Sequence, residues 1–150
     1  MTERQQRWVR VGLAYLTVSF LTVGLWATFA GRSFYDDFPG GGRHWVAGDG
    51  PYNAHLVSDA GVGFLAVGAV LALAALWLDR RLIQAALVAA TAHSLFHLVF
   101  HLRHPSDVLG SQDAALSNGA LAFGVLLGVV LLVLVTRSPA SPAAVAAHKA

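Results

Sequence analysis

Cysteine is absent from the 150 residues. That excludes disulfides, cysteine-ligated zinc and thiol redox chemistry. Charge is scarce: only 12% of the chain is Asp, Glu, Lys or Arg, against about a quarter in an ordinary soluble domain. So few charges cannot cover a soluble surface, and they cluster between long uncharged stretches. There is no GxGxxG, P-loop or HExxH, so the commonest nucleotide and zinc-protease signatures are missing. The serines stand in no nucleophile-elbow setting. No internal repeat is convincing. The net charge of +2 and pI near 9.5 do not indicate a nucleic-acid partner, because the basic residues flank apolar segments and form no basic stripe.

Apolar residues make up 56% of the chain, with a mean hydropathy of +0.60. They gather into four uncharged or nearly uncharged runs, expected as spans over 11–31, 54–78, 82–102 and 114–136. At about 1.5 Å per helical residue, each run covers a hydrocarbon core of about 30 Å. The first follows a basic head and ends near Ala30, as a signal peptide would. It is longer than an h-region of about 7–15 residues, so it reads as an uncleaved span. Lipid admits only helices or closed barrels, and short connections favour neighbouring antiparallel helices. The expected fold is therefore all-α, an integral membrane up-down-up-down four-helix bundle forming one domain over 1–136. The Ala, Pro and Ser of 137–150 read as a disordered cytoplasmic tail.

Basic residues give an orientation. With the amino terminus inside, Arg4, Arg7, Arg10, Arg80, Arg81, Arg137 and Lys149 lie inside, and Arg32, Arg43 and Arg103 outside, as the positive-inside rule requires. Both longer connections, Arg32 to Asn53 and Arg103 to Asp113, then face outward from a cell membrane. The first is read as a loop broken by Gly40, Gly41, Gly42 and the Gly48 to Pro51 turn. Its aromatics, Phe34, Tyr35, Phe38, Trp45 and Tyr52, fit an interfacial belt or a lid over a site beneath. Gly61, Gly63, Gly68 and the Gly124–Gly128 GxxxG mark faces for close helix packing, within the chain or in a homo-oligomer.

The third span carries HSLFHLVFHLRHP, with His93, His97, His101 and His104 three or four residues apart. An ionisable residue inside a span is a functional hypothesis by default. Counting depth from the outer ends places His97 level with Asp59 and His101 level with His55, while His93 lies deeper. Ser117 and Asn118 of the fourth span reach the Asp59 level. Each of the pairs His55/Asp59 and His97/His101 is spaced i,i+4 and shares a helix face. Lipid penalises such groups, so both pairs are expected to turn inward and meet. The expected site is then a metal centre of His55, Asp59, His97 and His101, with Asn53, His93, His104 and His44 as supporting or alternative ligands. Such a set suits zinc, copper, iron or manganese. His148 is given no role.

Three functions compete. The first is a metalloenzyme or redox protein built on that metal. The second is electron transfer through b-type haem, with His55 or His93 paired to His97 or His101. The third is a non-catalytic pH-sensing bundle or partner subunit, since histidine changes charge near pH 6.5. The inner half of every span lacks charged residues, which argues against a pump or channel. Neither a reaction nor a substrate can be read from the residues.

PYNAHLVSDAG, from Pro51 to Gly61, and HSLFHLVFHLRHP, from His93 to Pro105, together resemble a group of small four-span bacterial membrane proteins. In general shape the chain is similar to the DoxX-like membrane proteins. The resemblance implies that Asn53, His55, Asp59, His97 and His101 act as one unit. It transfers no activity.

Overall fold

The computed structural model describes residues 1–138. Lys149, His148 and nearly all of the expected tail lie outside the described residues. The fold is all-α apart from a minimal hairpin. The elements are α1 (Glu3–Phe29), α2 (Gly31–Asp37), β1 (Pro39–Gly40), β2 (Arg43–His44), α3 (Ala54–Trp77), α4 (Arg80–Arg103) and α5 (Ser111–Arg137). Four of these, α1, α3, α4 and α5, are long and apolar enough to cross a membrane. The chain is thus a multi-pass membrane protein with the expected four-helix bundle. α1, α4 and α5 begin eight, two and three residues before the expected runs, in their polar flanks, whereas α3 starts where expected and ends one residue short.

Local chemistry explains the helix ends. Thr2 and Gln5 form a reciprocal capping box at the start of α1, which satisfies backbone N–H groups that otherwise lack partners. The Asn53 side chain accepts the Leu56 N–H at 3.1 Å, and Asp79 accepts that of Leu82 at 2.8 Å. Asn53 therefore caps α3. Between α3 and α4, Leu78 adopts a left-handed conformation (φ 52°) and reverses the chain within two residues. Arg80 then reaches back to the end of α5, donating to the carbonyls of Thr136 (2.7 Å) and Ser138 (2.9 Å). A cation on the last carbonyls of a helix also matches its dipole.

The four long helices pack as two tight pairs, α1 with α3 and α4 with α5. Glycine makes each pair close. A methyl at Gly61 would stand 2.7 Å from the Thr28 backbone nitrogen, and one at Gly24 would stand 2.8 Å from that of Leu65. One at Gly68 would stand 2.7 Å from Leu21 Cδ2. In the other pair a methyl at Gly128 would collide with Thr91 Oγ1, while Gly124 faces Ser94. The GxxxG therefore serves packing inside the chain. Gly63 departs from expectation: nothing lies within 4 Å of its missing methyl.

The two halves of the bundle differ. The half at the Leu78 turn is filled by Val9, Leu13, Leu71, Ala74, Ile83, Leu87, Leu131 and Val135, all essentially inaccessible. The half at the long connections carries a second small cluster of Ala27, Phe34 and Val57. It is capped by the segment read from sequence as an irregular loop. That segment instead holds α2 and the β1–β2 hairpin, whose turn uses Gly41 (φ 67°) and Gly42 (φ 77°). The glycines that signalled a break supply the positive φ values that a tight hairpin needs.

Gly61 and Gly63 give a within-helix contrast. Gly61→Val should lower the thermal stability of the detergent-purified protein by about 1–3 kcal/mol, the usual range for overpacking. Gly63→Val should change it by less than about 0.5 kcal/mol, as is usual at an open surface position. Equal effects in thermal unfolding would contradict the packing described.

Candidate functional site

The half of the bundle at the long connections is hollow. A cavity of about 360 Å³ lies between all four long helices, in the range typical of small-molecule sites. Its walls are mostly apolar: Leu16, Phe20 and Val23 of α1, Phe64 of α3, and Leu121 of α5. Polar groups enter from one side each: Tyr15 and Ser19 of α1, Ser117 of α5, and Ser94 beside the histidines of α4. Phe34, Phe38, Trp45 and Val46 roof it from the α2–hairpin segment, with Leu109 from the second connection. No Asp, Glu, Lys or Arg is among the lining residues.

The roof is held by aromatic packing and by polar ties at its edges. Phe34, Phe38, Trp26 and Trp45 stack in a chain of ring contacts 4.9–6.0 Å between centroids. Of the aromatics read as a lid, Phe34, Phe38 and Trp45 line the cavity, while Tyr35 and Tyr52 do not. Arg43 Nε donates to Asp113 Oδ1 at 2.8 Å, linking the hairpin to the first turn of α5. Arg32 bonds Asp36 at 2.7 Å and lies over the rings of Tyr35 and Tyr52. Its hydrogen bond to Asp36 and the Asp36 charge push the Arg32 pKa further up, so it stays cationic. The Tyr35 hydroxyl donates to the Gly50 carbonyl, tying the end of the segment to α2.

The histidine stripe lines the cavity in part. His93, His97 and His101 all face it. One turn of α4 separates each from the next, about 6 Å along the axis. His97 and His101 stack with centroids 4.9 Å apart and an interplanar angle of 22°. Their Nε2 atoms approach to 3.0 Å, so one ring donates to the other. His93 lies deepest, edge-on to Phe64 (4.5 Å) and Phe20 (5.3 Å). Its Nε2 is buried with no hydrogen-bond partner, and so is Nε1 of Trp45 in the roof. Buried polar atoms left unpaired are uncommon and call for an explanation.

The expected four-ligand centre does not assemble. His55 and Asp59 pair with each other at 3.3 Å on the outside of α3, with side chains 88% and 64% exposed. Neither lines the cavity. Among the described residues no three His, Asp or Glu side chains come together as a metal-binding set. The reason lies in the helix face. Val57 and Gly61 are buried, and a residue two positions away lies about 200° around the helix. Packing α3 through Gly61 therefore turns His55 and Asp59 outward. His104 is also outside, stacked on Phe100 and bonded to its carbonyl at 3.1 Å. The exposed His44 ring contacts the Asp36 carbonyl. The haem arrangement loses its cross-helix pairing as well, since every histidine lining the cavity belongs to α4. The residues missed from sequence are Phe20, Phe64 and Tyr15. Only a knowledge of which helices touch would have picked them out of so apolar a chain.

No family model matches the chain, and no curated protein or solved structure is significantly similar to it.

The lack of cysteine makes the roof testable. Ser117→Cys places a single thiol on the cavity wall, and a maleimide should label it slowly in the folded protein. Adding Arg43→Ala should speed labelling by about two- to fivefold, as loss of a partly exposed ion pair allows. An unchanged rate would mean that the pair does not restrain the roof.

Proposed function

We propose that this chain is a multi-pass protein of the cell membrane that binds a small, largely apolar molecule in the cavity between its helices. The observation that supports this reading most is the cavity itself: about 360 Å³, apolar, roofed by aromatics, with a few polar atoms converging on it. Such a combination is the usual form of a small-molecule site. The termini are inside and the roof outside, which the distribution of arginines supports. The resemblance to small four-span bacterial proteins is kept as part of this reading. His93, Ser94, His97 and His101 of the HSLFHLVFHLRHP stretch lie on the cavity wall, and Ala60 is the one residue of PYNAHLVSDAG that does. Binding is assigned here without a reaction.

Ligand binding is read by thermal stability. A ligand at about 100 times its Kd stabilises the folded state by about 2.7 kcal/mol. 2-Isopropylnaphthalene, a compact apolar probe, should raise the melting temperature of the purified protein. Ala120→Trp, which fills the cavity side of α5, should abolish the rise while leaving the unliganded melt intact. No stabilisation of the wild type would remove this reading.

A second reading places a zinc, copper, iron or manganese ion on His97 and His101. It is favoured by their Nε2 separation of 3.0 Å, close to the roughly 3.3 Å between two imidazole nitrogens on one tetrahedral ion. Water or a ligand molecule would complete the coordination. Metal analysis should then find one ion per chain, lost in His97→Ala and in His101→Ala and retained in His55→Ala. Metal-free wild type after growth with all four metals would dismiss it.

A further inference from the structure

We propose that His55 and Asp59 of α3 are one half of a metal site that a second copy of this chain completes. The proposal is independent of the cavity and its ligand. Exposure comes first. α3 has 24 residues, about 36 Å of helix, against a hydrocarbon core of about 30 Å. With the helix centred on the core, His55 stands at its edge and Asp59, one turn further in, just inside it. Both side chains are exposed on the outside of the bundle. Ionisable groups on a span are costly in lipid and normally face protein or water. The contact with His55 occupies one of about four acceptor sites on the Asp59 carboxylate. Among the described residues Asp59 has no other ion-pair partner.

Geometry comes next. His55 Nε2 and Asp59 Oδ2 are 3.3 Å apart, matching the roughly 3.3 Å between two donors on one tetrahedral ion with bonds of about 2.0 Å. Two donors are half of the four that such an ion takes. Among the described residues no third His, Asp or Glu of the same chain joins them. Symmetry supplies the others. Copies of a membrane protein insert in one orientation, so the dyad of a pair runs along the membrane normal. Each residue then meets its own counterpart at its own depth. Without a cation, two Asp59 carboxylates would confront each other. A divalent transition ion on the dyad instead gathers two neutral imidazoles and two carboxylates. That set is uncharged overall, which removes the penalty of placing charge in an apolar setting. The surface beneath the pair admits the approach. Val62, Gly63, Ala66 and Ala69 continue the same exposed stripe of α3, and nothing lies within 4 Å of the methyl that Gly63 lacks. Small residues let two helices touch, which gives Gly63 a use that packing inside the chain does not.

The test follows particle mass. The full-length protein in detergent is stripped with EDTA and titrated with zinc, and size-exclusion chromatography with light scattering counts the chains per particle. The wild type should pass from one chain to two. His55→Ala and Asp59→Asn should remain single chains at zinc concentrations that fully pair the wild type. Each should also bind half a zinc ion per chain fewer. Their metal-free melting temperatures should match the wild type, because exposed substitutions of this kind leave folding nearly unchanged. Gly63→Val should need about tenfold more zinc for half-pairing, in line with overpacking of a close contact. Zinc held by His97 and His101 of one chain would join no chains and would be untouched by His55→Ala, so it cannot imitate this result. The proposal is overturned by a wild type that stays single with zinc, by a pair that survives EDTA, or by a zinc-linked pair that His55→Ala and Asp59→Asn leave intact.

Discussion

Close contact between helix backbones governs this structure. In lipid, helices gain little from burying apolar side chains against each other, because the surrounding tails are equally apolar. What remains is packing, and packing is best where a missing side chain lets two helices touch. Gly24, Gly61 and Gly68 seat α1 on α3, and Gly128 seats α5 on α4. These contacts fix two rigid pairs, and the pairs must then meet across a wider seam. At the turn end, leucine, valine and isoleucine fill the seam. At the other end the facing residues include Ser19, Ala60, Ala120 and Gly124, which are too small to fill it, and a cavity is left.

The cavity then decides which polar residues matter. A histidine on a lipid-facing surface and one on a cavity wall look alike in the sequence. The seating of α3 through Gly61 turns His55 and Asp59 away from the bundle, where they satisfy each other. The pairing of α4 with α5 through Thr91 and Gly128 leaves His93, His97 and His101 on the seam. One stripe of histidines therefore lines the hollow, while the carboxylate that would have completed a metal centre stays outside. The depth argument for a four-ligand site required α3 and α4 to face each other with their polar edges. The glycines assign α3 to α1 instead.

The legibility of the sequence follows from the same physics. Span number, approximate limits and the all-α class were readable, because hydropathy over about twenty residues depends on composition alone. The position of the histidine stripe was readable because period 3.6 is local. Facing was not. In soluble proteins an amphipathic pattern reveals the buried side, but here Leu73 and Leu76 are exposed and Leu71 is buried on one helix, and all are leucine. Glycine spacing was the one available signal. It marked Gly61 and Gly68 correctly and Gly63 incorrectly, since an open glycine and a packed one are spelled the same way. The segment after α1 was misread for a related reason. Glycines taken as breaks also permit a hairpin, and only its closure over the bundle shows which use they serve.

The roof completes the argument, because a gap between helix pairs is a site only if something bounds it. A seam open to the headgroup region would fill with water or lipid tails and would select nothing. Trp45 changes this. Its ring joins the Phe34–Phe38 stack, which packs it for its area, yet its N–H finds no acceptor within the protein. An apolar residue of similar size would have closed the roof without burying an unsatisfied donor. The same holds for His93 at the floor, set between Phe20 and Phe64 where a third ring would suffice. Both atoms are closed off by the side chains packed around them, as are the hydroxyls of Thr17, Thr28 and Thr91 between the helices, so the same close packing that bounds the cavity leaves polar atoms unpaired at a cost to folding.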